Sequence, residues 1–441
     1  MRLFFTLLLL TFVTNAAELM SVSNLWKSET FRKAFTASYA VSAPGEPHVN
    51  SEEQAVLDSV ADSLERGNRD AAVGKLQESL WLKQSPVLQF TLGSLLVEAG
   101  RAEEAVSRFG KAIDLYPDFR DAHRNRALAL IQLGKTDDAL PELTRSVELG
   151  AQDGLTYGLL GYCHSAAGRD RLALAAYRQA QLLMPGELQW TAGEAFALLA
   201  LERADDAAVL LGDLLKQQPE NDSLWLAQSD AWMMLEQYDK AIANREFLRR
   251  RGRLPADGLL LLGHLYLNEG LPDDALGCYL DALVASPDPS ELLTALERLI
   301  DSRHWKQAQS FAEKMPPVPE NLAGRFERDA ALIELEIGDP KTGVRKVEEL
   351  VARDPMDFKA LLLLARAYRK AGRTEEAVMR LEQAAGNPDT ELEALRLLGQ
   401  VQAELGNYDE SLKALRRAAE LRPDPALDAY IAAVQNLKGG E

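Results

Sequence analysis

Apolar residues in this chain recur at the three- and four-residue spacing of an amphipathic helix, in short stretches divided by glycine and proline. Residues 86–119 show the pattern most clearly. A first apolar stretch ends at Gly100, where a left-handed residue can terminate a helix. A second stretch carries Ala105 and Phe109 on one face and ends at Pro117, which cannot donate to the helix ladder. The pattern predicts two short helices joined by a tight turn.

The glycines and prolines that follow these apolar stretches repeat with a single period. The positions of the glycines that follow the first stretches differ only by multiples of 34: Gly100, Gly134, Gly168, Gly270, Gly338, Gly372 and Gly406. The prolines that follow the second stretches obey the same rule: Pro117, Pro185, Pro219, Pro287, Pro355 and Pro423. Because two independent series share one period, the chain is predicted to be an array of helix–turn–helix repeats.

A unit of this length and pattern resembles the tetratricopeptide repeat family. One unit that carries the resemblance has Leu160, Gly161, His164, Ala173, Tyr177, Ala180 and Pro185 at the family's positions. The resemblance extends over residues 53–425. It implies an all-α, right-handed α-solenoid of about eleven helix–turn–helix repeats with terminal capping helices. It also implies a binding function, with a protein or peptide partner held against a concave wall of first helices.

Residues 1–17 are predicted to be a secretory signal peptide. Arg2 precedes an apolar run from Leu3 to Val13, and small residues follow, with cleavage expected after Ala16 or Ala17. The run is shorter than the roughly 20 residues that cross a bilayer, so no transmembrane span is expected once the leader is removed. The protein is therefore expected to be exported, either periplasmic or secreted. Retention of the leader as an anchor is the alternative.

Residues 18–52 do not fit the repeat. Phe31, Phe35 and Tyr39 are spaced by four positions, which indicates one amphipathic helix, followed by a linker rich in proline and glycine. Two interpretations are open for residues 18–50. They form a cap on the first repeat, as the end of a stacked array requires, or they form a docking segment for a partner.

Two further segments depart from the regular array. Residues 289–323 lack the Leu–Gly pair and the terminal proline, which favours an irregularity or hinge within the repeats. Residues 426–441 are expected to form a C-terminal capping helix and a short tail.

Charge and composition reduce the number of function classes that the sequence favours. The chain has 67 acidic and 49 basic residues and a net charge of −18. This balance argues against nucleic acid, whose binding needs a basic face. No catalytic, metal or cofactor motif is present, so the sequence predicts a non-enzymatic protein without a cofactor. Cys163 and Cys278 are expected to be separate buried core residues.

Two groups of first-helix residues are candidates for the concave binding surface. An apolar and aromatic zone contains Leu128, Tyr162, Phe196, Met233 and His264. A basic zone contains Arg325, Arg328, Arg366, Arg369 and Arg396. An exposed apolar wall usually marks an interaction site, but these apolar residues also suit a buried core. The arginines also suit ion pairs with carboxylates of adjacent helices.

Three functions are compatible with the sequence. The first is a scaffold outside the cytoplasm, within an envelope assembly, secretion or transport complex, which binds a segment with an apolar stretch and an acidic end. The second is an accessory or regulatory subunit of an envelope enzyme, such as an exopolysaccharide or cell-wall synthesis complex. The third is a glycan- or small-molecule-binding protein that stacks its ligand on the aromatic residues Tyr162, Phe196, Trp190 and Trp225.

Overall fold

The computed structural model describes residues 46–285 and 288–439. The chain divides into two compact units, Met1–Arg250 and Arg251–Glu441. The helices of the first unit are α1 (Ser51–Glu65), α2 (Arg69–Glu78), α3 (Pro86–Glu98), α4 (Ala102–Leu115), α5 (Arg120–Gln132), α6 (Thr136–Glu148), α7 (Gly154–Ala166), α8 (Asp170–Leu183), α9 (Leu188–Ala200), α10 (Ala204–Gln217), α11 (Asp222–Met234) and α12 (Tyr238–Arg250).

The described helices of the second unit follow the same alternation. They are α13 (Ala256–Asn268), α14 (Pro272–Val284), α15 (Pro289–Asp301), α16 (Trp305–Ala312), α17 (Glu320–Ile337), α18 (Pro340–Arg353), α19 (Phe358–Lys370), α20 (Thr374–Ala384), α21 (Pro388–Glu404), α22 (Tyr408–Leu421) and α23 (Pro425–Gly439).

Within each unit, every helix packs against the helices that precede and follow it in sequence. The described residues thus form eleven helix pairs followed by one further helix. This arrangement confirms the predicted all-α solenoid of tetratricopeptide type, in which each repeat contacts its neighbours. The hand of the solenoid stays a prediction, and so do the boundaries assigned to the leader, the N-terminal segment and the caps.

In most repeats, a wide side chain of the second helix packs on a small residue of the first helix. The wide residue stands 16 positions after the glycine that it contacts in Gly93–Phe109, Gly161–Tyr177, Gly263–Tyr279 and Gly399–Leu415. A Cβ atom added to Gly161 would lie 2.7 Å from Tyr177 Cδ1, and one added to Gly263 would lie 2.3 Å from Tyr279 Cε1. Glycine is therefore required at these positions because only a bare backbone lets the two helices approach so closely.

Other repeats keep the same spacing but combine a larger first-helix residue with a smaller second-helix residue. Alanine in the first helix accompanies an aliphatic residue 16 positions later, and both are fully buried, in Ala127–Leu143, Ala195–Leu211, Ala331–Val347 and Ala365–Leu381. One repeat uses polar groups instead. Arg245 Nε donates to Ser229 Oγ at 2.9 Å, and Arg245 Nη2 pairs with Asp230 Oδ1 at 2.5 Å. These three side chains are buried, so the pair satisfies the charges that its burial desolvates.

Residues 289–323 are irregular in local structure. Helix α16 has 8 residues, whereas α4 and α8, which occupy the same place in their repeats, have 14 each. Residues 313–319 contain no helix and lead into α17, which has 18 residues. Arg303 takes φ 60° at the turn before α16, where Gly270 and Gly372 stand in other repeats. Hinge motion in this segment stays a prediction.

The C-terminal helix α23 packs on the last repeat. Leu427 and Val434 of α23 are buried with Leu412, Leu415 and Ala418 of α22. A final helix of this kind covers the apolar face that the last repeat leaves unstacked. The predicted signal peptide and the predicted 31–39 helix lie outside the described residues.

The close approach of glycine and tyrosine yields a first prediction. Tyr177 is held from both sides, because a Cβ atom on Gly193 would also lie 2.6 Å from its ring. The ring therefore has no room to retreat from a larger residue at Gly161. We expect Gly161→Ala to lower the free energy of unfolding by about 1–3 kcal/mol, measured by chemical denaturation with circular dichroism.

Gly74→Ala is the matched control. Gly74 also lies inside a helix, but nothing lies within 4 Å of the position of its Cβ atom. Alanine should stabilise the helix there by about 0.5–1 kcal/mol. If Gly161→Ala were as stable as the parent chain, the packing constraint described above would be wrong.

Candidate functional site

Three of the apolar candidates for the binding surface lie in the core. Leu128 is 1% exposed, Phe196 is 6% exposed and Met233 is 7% exposed. Leu128 and Phe196 belong to the hydrophobic cluster that runs through the first unit. The structure thus supports the alternative in which these residues stabilise the fold, and any contact they make with a partner stays untested.

Tyr162 and His264 are partly buried. His264 Nδ1 lies 2.7 Å from the hydroxyl of Tyr279, the residue that packs on Gly263. Burial, with a smaller contribution from Arg298, lowers the pKa of His264 to about 3. The imidazole is therefore neutral at neutral pH and offers no positive charge to an anionic ligand.

The five candidate arginines all pair with carboxylates of neighbouring repeats. Arg325 makes a bidentate pair with Glu297 at 2.8 and 2.9 Å. The other pairs are Arg328–Asp357, Arg366–Glu393, Arg369–Glu404 and Arg396–Asp424. The basic zone is thus composed largely of ion pairs between repeats, as the alternative interpretation anticipated.

One of these pairs has a counterpart in the first unit. Arg328 reaches Asp357 in the next repeat, and Arg124 reaches Asp153 across the same interval. Each aspartate also accepts a hydrogen bond from a backbone N–H in the first turn of the helix that follows it. Asp357 accepts from Ala360 N, and Asp153 accepts from Thr156 N. The arginine therefore connects its own repeat to the N-terminal cap of the following one.

A cleft of about 970 Å³ opens in the second unit where three successive helix pairs make their turns. It is bounded by the C-terminal parts of α15, α17 and α19, by the N-terminal parts of α16 and α18, and by the turn that precedes α20. Its apolar lining consists of Ile300, Trp305, Leu332, Leu335, Val344 and Leu363. This volume is typical of pockets that accept a small ligand or a few side chains of a peptide.

The rim of the cleft is basic. Five cations face three carboxylates among the lining residues, namely Arg303, Lys341, Arg366, Lys370 and Arg373 against Asp301, Glu336 and Glu348. Arg303 and Lys341 are exposed, and neither forms an ion pair with another residue of the part of the chain that the structure describes. These two cations are available to an anionic ligand in a protein whose net charge is −18.

One wall of the cleft is held by a hydrogen-bonded cluster. Tyr368 donates its hydroxyl proton to Glu348 Oε1 at 2.7 Å, and Arg373 Nη1 donates to the same oxygen at 3.1 Å. The guanidinium of Arg373 also lies over the Tyr368 ring, 3.9 Å from its centre. Burial and the bond to Glu348 raise the pKa of Tyr368. This wall is therefore preorganised, and Glu348 is already neutralised.

Sequence reasoning identified Arg366 as a binding residue but not its neighbours in the cleft. Trp305, Arg303 and Lys341 belong to turns and second helices, whereas the predicted binding surface consists of first-helix residues. Arg303 did carry a signal, because it occupies a turn position that is glycine in most repeats.

The described residues contain no helix long and apolar enough to cross a membrane. Within the same residues, no group of three or more histidine, cysteine or acidic side chains is arranged to hold a metal ion. Cys163 and Cys278 are both buried, and burial raises the pKa of the Cys163 thiol to about 12.

Family models match most of the regular repeats. A model described as tetratricopeptide repeat matches residues 90–154 and 193–252, and a second model of that description matches residues 259–293. A model of subunit 3 of the anaphase-promoting complex, cyclosome, matches residues 346–418. The chain belongs to the tetratricopeptide repeat superfamily. Tetratricopeptide repeat proteins are protein–protein interaction scaffolds.

The chain spans less than two thirds of the curated relatives that it resembles. The Hsp70-Hsp90 organizing protein of Triticum aestivum is 33% identical over 134 residues, which are 30% of this chain and 23% of that protein. DnaJ homolog subfamily C member 3 of Rattus norvegicus is 24% identical over 329 residues, 66% of this chain and 64% of that protein.

Two solved structures are similar to parts of this chain. A tetratricopeptide repeat protein from Parabacteroides merdae has a TM-score of 0.39 and 15% identity, and the match covers 57% of this chain and 100% of that one. A chain from the characterisation of Pseudomonas aeruginosa pilF has a TM-score of 0.39 and 19% identity, with 47% of this chain and 94% of that chain covered.

The burial of Phe196 and the exposure of Arg366 in the tetratricopeptide repeats yield a second prediction. Phe196→Ala should lower the free energy of unfolding by about 3–5 kcal/mol, because it removes a buried aromatic ring and leaves a cavity. Arg366→Ala should change it by less than about 1 kcal/mol, since Arg366 and Glu393 form a solvent-exposed pair. Chemical denaturation of both variants measures the difference. Equal stability of the Phe196→Ala and Arg366→Ala chains would contradict the placement of Phe196 in the core.

Proposed function

We propose that this tetratricopeptide repeat protein is a non-enzymatic scaffold that binds a segment of a partner protein in the cleft of its second unit. The segment carries an apolar side chain, which enters the cleft, and a carboxylate group, which pairs with the basic rim. The scaffold acts outside the cytoplasm within an envelope assembly, secretion or transport complex.

This proposal rests on one observation, namely which of the cations already form ion pairs with carboxylates of the protein. The arginines of the basic zone already have carboxylate partners within the protein. Arg303 and Lys341 differ, because each stands exposed beside an apolar lining and forms no ion pair among the described residues. A ligand carboxylate that pairs with either cation breaks no ion pair, whereas a carboxylate that approaches Arg325 must first displace Glu297.

The shape of the cleft favours a peptide segment. The cleft joins the turns of three repeats, so an extended segment laid along it contacts several helix pairs at once. Trp305 is partly exposed at the edge and supplies the kind of aromatic surface that dominates many protein interfaces. The preorganised wall of Tyr368, Glu348 and Arg373 reduces the entropy that binding costs.

The glycan-binding alternative loses two of its aromatic residues. Trp190 is fully buried against Tyr177, and the position of Gly158 touches its ring. Phe196 is buried as well. A sugar cannot stack on these two faces without unfolding the repeat, so this alternative keeps only Tyr162 and Trp225, which are partly exposed. The cleft does not distinguish a scaffold from the accessory subunit of an envelope enzyme.

A third prediction tests the cleft. Trp305→Ala should weaken partner binding about tenfold at low and at high salt, because it removes apolar contact. Lys341→Glu should weaken binding about tenfold at low salt and less at high salt, since salt screens exposed charges. The partner is captured from an envelope extract with the full chain, purified, and titrated against each variant by calorimetry.

Lys306→Glu is the matched control, with the same change of charge beside Trp305 but outside the cleft lining. It should bind like the parent chain. A partner that bound the Trp305→Ala and Lys341→Glu chains as tightly as the parent would exclude this cleft as its site.

A fourth prediction tests the location. If residues 1–17 are a cleaved leader, the mature protein should begin at Ala17 or Glu18 and be found outside the cytoplasm. Cell fractionation followed by N-terminal sequencing measures both. A mature chain that still begins at Met1, or one confined to the cytoplasm, would refute the extracytoplasmic part of the proposal.

A further inference from the structure

The turn between α15 and α16 has the same backbone hydrogen bonds as the turns that use glycine. Arg303 N donates to Ile300 O at 2.8 Å, as Gly100 N donates to Val97 O at 3.0 Å after α3. In both turns the N–H group of the next residue bonds to the carbonyl five positions earlier. This pattern ends a helix with one residue in the left-handed conformation, most often glycine. Arg303 takes that conformation, with φ 60°.

The left-handed conformation is unfavourable for arginine, because its Cβ atom comes too close to a backbone carbonyl oxygen. The glycines that stand at this position in other repeats, with positive φ, are Gly100, Gly134, Gly168, Gly270, Gly372 and Gly406. No side-chain contact offsets the cost at Arg303. Its side chain is exposed and forms no hydrogen bond or ion pair with another residue of the described part of the chain.

Backbone strain alone does not mark a binding residue in this protein. Glu202 and Glu236 take the same conformation at the corresponding turns of the first unit, with φ 59° and φ 57°. Arg303 differs from these glutamates in its surroundings, because it lines the cleft together with Trp305 and Leu332. A strained residue that places a cation at the edge of an apolar cleft is typical of a position kept for a ligand.

The charges of the cleft that are left unpaired favour a ligand with one negative charge. Three lining cations already have partners, in the pairs Lys370–Glu336, Arg373–Glu348 and Arg366–Glu393. The lining groups that form no ion pair among the described residues are Arg303, Lys341 and Asp301, which together carry one net positive charge. A single carboxylate balances this set. A phosphate monoester brings about two negative charges, and Asp301 repels the excess.

Arg303 is better suited than Lys341 to select a carboxylate by its shape. A guanidinium group offers a planar fork of donors that matches both carboxylate oxygens, whereas an ammonium group acts as a point charge. Arg325 holds Glu297 in this bidentate way, at 2.8 and 2.9 Å. Because Trp305 follows Arg303 by two positions, a carboxylate bound there brings its neighbouring apolar side chain to the aromatic edge of the cleft.

We propose that Arg303 is the specificity-determining residue of the cleft, and that it selects an aspartate or glutamate side chain next to the apolar side chain of the partner segment. This inference rests on the proposed function, because it assigns the anionic half of the same ligand. The protein is less stable with arginine than with glycine at this turn, and it gains an anchor for the carboxylate of the segment.

Replacing Arg303 with glycine tests both halves of the proposal. Arg303→Gly should raise the thermal midpoint of unfolding by about 2 °C, measured by scanning calorimetry, because it relieves the turn. The same variant should bind an acidic segment more weakly. Glu202→Gly is the matched control, since it relieves the corresponding turn of the first unit. It should raise the midpoint by a similar amount and leave binding unchanged.

The binding probe is a phage-displayed library of random twelve-residue peptides that are fused through their C-termini, so the carboxylates they offer come from side chains. The full parent chain should enrich peptides with aspartate or glutamate close to a large apolar residue. An amidated synthetic copy of such a peptide should bind the Arg303→Gly chain about tenfold more weakly at low salt.

A double-mutant cycle identifies the pair directly. Replacing the acidic residue of the peptide with its amide should weaken binding to the parent chain about tenfold and cause no further loss with the Arg303→Gly chain. Equal losses with both chains, or a midpoint that falls in the Arg303→Gly chain, would overturn the role of Arg303. Tighter binding of a copy with phosphoserine at the acidic position, or enrichment that requires free C-termini, would overturn the choice of a side-chain carboxylate.

The same measurements separate a failure of this inference from a failure of the proposed function. Peptides that lose affinity for the Trp305→Ala chain but bind the Arg303→Gly chain like the parent would exclude only the role of Arg303. Peptides that bind the Trp305→Ala chain as tightly as the parent, or a library that yields no binder, would contradict the peptide-binding cleft itself and this inference with it.

Discussion

The contact on which this structure depends is the seating of a wide second-helix side chain on a small first-helix residue, 16 positions earlier. Where the wide residue is Phe109, Tyr177 or Tyr279, its partner is glycine, and where it is leucine or valine the partner is usually alanine. The sum of the two volumes sets the distance between the helices of a pair. Because the same contact recurs in most repeats, it also fixes which side of each first helix faces inward.

In this fold, charged side chains chiefly form contacts within and between repeats. Arg245 replaces the wide apolar residue in one repeat and is satisfied by Ser229 and Asp230. Arg328 reaches the capping aspartate of the next first helix. A cation that already has such a partner gains little from a ligand, since the internal pair must break first. Arg303 and Lys341, which form no ion pair among the described residues, are therefore the cations of the cleft that are open to a ligand.

The sequence predicts those features that depend on neighbours along the chain. The repeat period located the helix pairs, and Gly161 and Tyr177 were found at family positions that the structure shows to be a packing contact. Exposure was less predictable. Val87 and Lys359 occupy the same place in their first helices, yet the former is buried and the latter is exposed, so the repeat position alone does not set exposure. The cleft was missed for a related reason, since its walls come from the turns of three repeats.

The central claim is that a partner binds the open cleft of the second unit, while the first-helix residues of the first unit are part of the buried core. Hydroxyl-radical footprinting of the full chain, with and without saturating partner, tests both parts in one measurement. The account predicts that Trp305 is oxidised in the free protein and protected by the partner, whereas Phe90 and Leu128 remain unmodified in both samples. Unchanged oxidation of Trp305 in the complex, or strong oxidation of Phe90 and Leu128 in the free protein, would contradict it.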